Sequence, residues 1–201
     1  MKSRLLQIIA LASIVAGGCG GSKPTNIDIV NDEGKSVMAL DYRDFDKAAS
    51  EMVQSMISSG ALKKKDGGRY VVATGRIVND TMQRIDTDQL MAKVEEELMN
   101  SGQVVMTSAV GSGVDSLVHE SRELRESEEF DQNTVAKRGT LIAPELSISG
   151  KIFQRNLRYD SKNQQVEYYF QLKLSDATSG LRYWQKESLI GKRGSNKSVA
   201  W

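Results

Sequence analysis

RIVNDTMQRIDTDQLMAKVEEELMNSG, Arg76 to Gly102, is the stretch that decides the fold. Just upstream, Tyr70, Val71, Val72, Ala73 and Thr74 are β-prone, and the run continues through Ile77 and Val78. Asn79, Asp80 and Thr81 break that strand, because their short polar side chains bond to nearby backbone. Asp86 can accept from the open amides of a helix, and Gln89 three residues on gives a capping-box spacing. Leu90, Met91, Val94 and Leu98 then make one apolar stripe with charge opposite. Gly102 supplies a left-handed stop, and Gln103 to Thr107 reads as a second strand. The unit is strand, long polar turn, amphipathic helix, strand. None of its residues is an evident catalyst.

Working outward, Asp41 to Gly60 is a helix. Phe45, Ala48, Ala49, Met52, Val53, Met56 and Ile57 hold the helical spacing, Asp41 is the N-cap and Gly60 the stop. Its methionines are read as core filling. Lys63, Lys64 and Lys65 form a solvated basic loop. Asp115 to Phe130 is a charged helix with a thin apolar stripe, and its glutamates and His119 belong to a solvated face. Asn133 to Arg138 is expected to form a short helix before Gly139. Beyond it the chain is β. Leu146, Ile148, Gly150 and Ile152 alternate with polar residues. Val166, Tyr168, Phe170, Leu172 and Leu174 do so more cleanly, and Leu181 to Ile190 returns as a third strand. Lys192 to Trp201 is expected to be a loose tail.

Composition excludes several function classes. A formal charge of +1 becomes about −1 without Lys2 and Arg4, which argues against nucleic acid as the partner. The chain has 1 cysteine, Cys19, and 1 histidine, His119, so no internal disulfide can form and no Cys/His zinc set exists. No metal or other cofactor is expected, and no catalytic residue is assigned.

Residues 1–18 read as a signal peptide: Lys2 and Arg4, an apolar run from Leu5 to Ala16, then small residues up to Cys19. Ala16-Gly17-Gly18-Cys19 resembles a bacterial lipobox, with alanine where leucine is usual. The resemblance implies a Cys19 lipidated with acyl chains that hold the protein at a membrane. Gly20, rather than aspartate, resembles the outer-membrane side of the lipoprotein sorting rule. Residues 19–37 form a short flexible tether, 38–192 a single domain and 193–201 the tail.

Gly75-Arg-Ile-Val-Asn-Asp-Thr, Ile85-Asp-Thr-Asp-Gln-Leu and Leu98-Met-Asn-Ser-Gly resemble the LpoB family. So do Gly150-Lys-Ile, Tyr168-Tyr-Phe-Gln-Leu-Lys-Leu-Ser-Asp-Ala-Thr-Ser-Gly and Trp184 in the meander. The match runs roughly from Met38 to Lys192. It implies an α+β fold akin to the TolB N-terminal domain, with a small mixed or antiparallel sheet packed by amphipathic helices. It also implies a non-enzymatic, outer-membrane lipoprotein that binds and activates a class A penicillin-binding protein from the periplasmic side. The tether departs from the long Pro-rich segment of the well-known enterobacterial form, for the chain holds only Pro24 and Pro144. A structural or assembly lipoprotein that docks another envelope complex therefore stands as the alternative. Partner contact is placed on the turn from Asn79 to Arg84 or the face nearby, with Asn79, Thr81 and Arg84 as the candidate residues. The competing account is that Asn79 and Thr81 only shape the turn.

Overall fold

Helix α1, Tyr42–Ser58, starts where Asp41 accepts from the amides of Arg43 and Asp44. The Asp44 carboxylate reaches back to the Asp41 amide at 2.8 Å, closing a capping box. The computed structural model that shows this describes residues 26–29, 31, 34 and 37–198. The expected leader and Cys19 lie outside the described residues. Helix α2, Thr87–Asn100, is capped by Asp86, which accepts from the amides of Asp88 and Gln89. The reciprocal bond that the spacing of Asp86 and Gln89 suggests does not form there; the box belongs to α1. Gly60 and Gly102 follow the two helices with φ of 76° and 68°, the left-handed geometry a side chain resists.

Five strands form one sheet in the order β2-β1-β3-β4-β5. They are β1, Tyr70–Asp80; β2, Val104–Met106; β3, Leu146–Arg158; β4, Asn163–Asp176; and β5, Arg182–Ser195. Strand β1 lies parallel to both β2 and β3, while β3, β4 and β5 form an antiparallel meander. The sheet is mixed, as the α+β reading requires. Helices α1 and α2 cover one face. Phe45, Met52, Val53 and Met56 of α1 and Leu90, Val94 and Leu98 of α2 meet Ile148, Ile152, Tyr168, Phe170 and Leu172 in a single core. Met52 and Met56 are fully buried, so the methionines fill the core.

Several expectations are corrected. Strand β1 continues through Asp80, because Asn79 and Asp80 still pair with Ile152 and Phe153 of β3. Strand β5 runs through Ser195, past the expected start of the tail. Its end pairs with β4, and Lys192 is held by Asp44 at 2.5 Å and by the Ala39 carbonyl at 2.8 Å. The charged helix shrinks to α3, Ser116–Glu123, and a 3₁₀ turn at Leu124–Glu126, and the segment Asn133 to Arg138 forms turns rather than a helix. No residue of α3 is buried, and a short helix without an apolar anchor does not propagate. Arg125 Nε instead donates to the Ala136 carbonyl at 2.7 Å, tying the loop to the helix by a polar bond.

The parallel pairing of β1 with β3 shifts register between Thr74 and Ile77. Ser112 covers that irregularity, its amide donating to the Thr74 carbonyl at 2.7 Å. Gly111 makes this approach possible: its φ is 97°, and a Cβ there would sit 2.2 Å from the Thr74 oxygen.

Carboxylates committed to the fold set its acid response. Burial raises the pKa of Asp41, but the hydrogen bond from Arg43 and the charge of Lys192 outweigh it and hold the carboxyl low. The Lys64 ammonium lowers that of Glu145, across an ion pair of 2.7 Å, with help from the Val71 amide. The Ser179 amide and hydroxyl lower that of Asp176 in the β4–β5 turn. A depressed folded pKa gives stability that is present above the unfolded pKa and lost as pH falls through the folded one. The urea midpoint should therefore hold steady from neutrality to about pH 5 and fall below about pH 4. A midpoint that rises on acidification would contradict these assignments.

Candidate functional site

The turn after β1 is built from its own side chains. Asn79 Oδ1 accepts from the Thr81 amide at 3.1 Å and from the Thr81 hydroxyl at 2.8 Å. Asn79 Nδ2 donates to the Gln83 carbonyl at 2.9 Å, and the Gln83 amide donates to Thr81 Oγ1 at 3.1 Å. Asn79 and Thr81 both hold the shape of the turn. Arg84 is exposed and has no polar partner among the described residues. Met82 stands 76% exposed at the tip, its amide held by Gln154 Oε1 at 3.2 Å. The three candidate residues thus share one turn, in which the Arg84 side chain is wholly uncommitted.

Gln83 points the other way, and only 6% of it is exposed. Its Nε2 donates to the Tyr168 hydroxyl, and its Oε1 accepts from the Leu40 amide at 3.2 Å. The Tyr168 hydroxyl in turn donates to the Met38 carbonyl at 2.9 Å. Burial pushes the phenol of Tyr168 up to about 12, so it stays neutral and keeps this donor. The turn is thereby fastened to the place where the chain enters the domain.

Beside the turn lies the sheet face that α1 and α2 do not cover. At its β2 end, Val118 of α3 shares a groove with Val71 and Val105. The meander end is left open and presents residues of odd number from β3, β4 and β5. Phe153 and Tyr169 pair across β3 and β4, with ring centroids 4.6 Å apart and planes 3° from parallel. The Arg155 guanidinium lies 5.2 Å from the Tyr169 ring and 5.8 Å from the Phe153 ring, and Lys151 Nζ lies 5.6 Å from Phe153. Such cation–π contacts hold a cation over an apolar surface without neutralising it. Tyr169 donates to Glu167 Oε2 at 2.7 Å, and Leu189 continues the aromatic row on β5, 55% exposed. Lys151 pairs with Asp80 at 2.5 Å, joining this row to the end of β1 beside the turn.

The two stacked rings are half-buried and the arginine and methionine beside them exposed; aromatics, arginine and methionine are the residue types that anchor protein interfaces. Alternation in β4 had already put Tyr169 on the wet face. Phe153 was missed, although an aromatic at the polar parity, between Lys151 and Arg155, is the signal that marks it. Among the described residues no three His, Cys, Asp or Glu side chains gather as a metal site requires, and no helix is long and apolar enough to cross a membrane. His119 is exposed, with Nε2 2.8 Å from the Ala109 carbonyl.

A family described as peptidoglycan-synthase activator LpoB matches residues 44–190. The LpoB C-terminal domain of Escherichia coli is 12% identical, with a TM-score of 0.43, over 73% of this chain and 98% of that one. The Salmonella enterica LpoB C-terminal domain is 13% identical over the same shares, with a TM-score of 0.42. Lipoprotein GNA1162 of Neisseria meningitidis is 9% identical over 65% of this chain and 86% of that one, with a TM-score of 0.38. No curated protein sequence matches the chain.

Proposed function

Since the chain belongs to the LpoB family of peptidoglycan-synthase activators, we propose that it binds a class A penicillin-binding protein and stimulates it, without chemistry of its own. The docking surface in this reading is the Phe153–Tyr169 row with Arg155, continued by Met82 and Arg84 on the turn. The observation that carries it is that ring pair, stacked at 4.6 Å on an uncovered sheet face with a guanidinium against it. Activation requires that the surface bind the active synthase conformation more tightly than the inactive one. The protein acts from the outer membrane on its periplasmic side, anchored through lipid on Cys19.

The test has two parts. The chain without residues 1–19 should retain the organism's class A synthase in a pull-down and raise its glycan polymerisation rate; no retention and no rate change would end the proposal. In cells, Cys19→Ser should abolish labelling by a palmitate analogue. Labelling that survives the substitution would remove the anchor from the account.

A further inference from the structure

Where β1, β3, β4 and β5 run side by side, the open face sinks into a cavity of about 350 Å³. Its walls include Val78, Lys151, Gln171, Lys173, Arg182 and Gln185. Lys173 sits at the middle of the group, opposite Ser149 on β3 and Gln185 on β5. Arg182 lies beyond the irregularity between Leu174 and Ser175, which brings it into line with Ser175.

Each surrounding carboxylate has a partner, cationic for Asp80 and neutral for Glu187 and Asp176. Asp80 pairs with Lys151 at 2.5 Å, and Glu187 accepts from Gln171 Nε2 at 2.7 Å. Asp176 accepts from the Tyr183 hydroxyl at 3.0 Å and from the Thr178 amide at 3.0 Å. Lys173 has no hydrogen bond or ion pair among the described residues. Arg182 gives Nη1 to Gln185 Oε1 at 2.5 Å and keeps its other donors free for a ligand. Cations gathered in a concavity focus positive potential on the space they enclose.

We propose that this cavity binds the free carboxylate of a short peptide. The ammonium of Lys173 and the remaining guanidinium donors of Arg182 take the carboxylate, in the charge-assisted geometry that arginine favours. The side-chain amides of Gln171 and Gln185 flank it and match the donors and acceptors of the adjoining peptide unit. Val78, 51% exposed, offers an apolar wall to a small side chain. The volume is near the lower end of the ~300–1,000 Å³ of ligand clefts, which suits a chain end rather than a folded surface. This inference goes beyond the docking proposal and does not depend on it, because no synthase enters its test.

The experiment is a ¹⁵N NMR titration of the chain without residues 1–19. The probes are N-acetyl-alanyl-alanine, the same dipeptide with its C-terminus amidated, and inorganic phosphate. The free acid should shift the amides of Lys173, Arg182 and Gln185, and the amidated form should not. Lys173→Gln and Arg182→Gln should each weaken binding by about tenfold or more while the spectrum keeps its dispersion. Equal binding of the amidated dipeptide, equal binding of phosphate, or unchanged affinity in both folded variants would overturn the assignment.

Discussion

Arg155→Glu is expected to reduce affinity for the synthase by about thirtyfold or more, the scale of a hot-spot loss of about 2 kcal/mol. The guanidinium lies against both rings of the Phe153–Tyr169 pair. The substitution removes it and sets a second carboxylate opposite Glu167 on the neighbouring strand. Phe153→Ala should produce a loss of similar size by removing one ring of the stack. Losing one ring of a cross-strand stack, or placing like charges opposite each other, should cost each variant about 0.5–1.5 kcal/mol of stability, so both should remain folded at the temperature of the binding measurement. Glu96→Gln, on the outer side of α2, is the control and should bind normally. Surface plasmon resonance with immobilised synthase reads all three. If both face variants bind within threefold of the parent, the docking surface lies elsewhere.

The second large effect is on stability. Tyr168 is fully buried, and Tyr168→Ala should cost about 3–5 kcal/mol, as large aromatic truncations in cores do. Tyr168→Phe isolates the hydroxyl. It leaves the Met38 carbonyl and Gln83 Nε2 without their partner, at about 1–3 kcal/mol. Gln83→Leu combined with Tyr168→Phe should cost less than the two single losses added, since the buried donor has then gone together with its acceptor. Urea denaturation of the four proteins measures that coupling. Strict additivity would mean that the bond between these side chains contributes nothing separable.

The strand–turn–helix unit and the meander were legible because their signals are periodic. The stripe from Leu90 to Leu98 and the alternation from Val166 to Leu174 each bury a continuous apolar face, and the core assembles from them. The loop beyond α3 was not legible. Charges spaced three and four apart suit a helix, but each such pair contributes only tenths of a kcal/mol, and nothing apolar seats the segment. The end of β5 was hidden for a related reason. Lys192, Arg193 and Gly194 have the composition of a tail, yet cross-strand pairing with β4 and an ion pair to α1 fix them. Both depend on residues distant in sequence. In the turn, residue type alone showed that Asn79 and Thr81 would bond locally. It could not show that Gln83 turns inward to Tyr168 while Arg84 stays outside, because that choice is made by packing.

The junction at Met38–Leu40 also determines how the domain carries a mechanical load. Tension on the chain ahead of Met38 would meet three moorings on successive residues. One is Tyr168 on β4, one is Gln83 on the turn, and one is Lys192 on β5. Bonds on successive residues are loaded in turn from the pulled end, so the bond of the Met38 carbonyl to Tyr168 would take the force before that of the Leu40 amide to Gln83. One of the three belongs to the turn that carries Met82 and Arg84. The Gln83 bond, on the innermost of the three residues, would be loaded last, so the turn keeps its anchor until the other two have yielded.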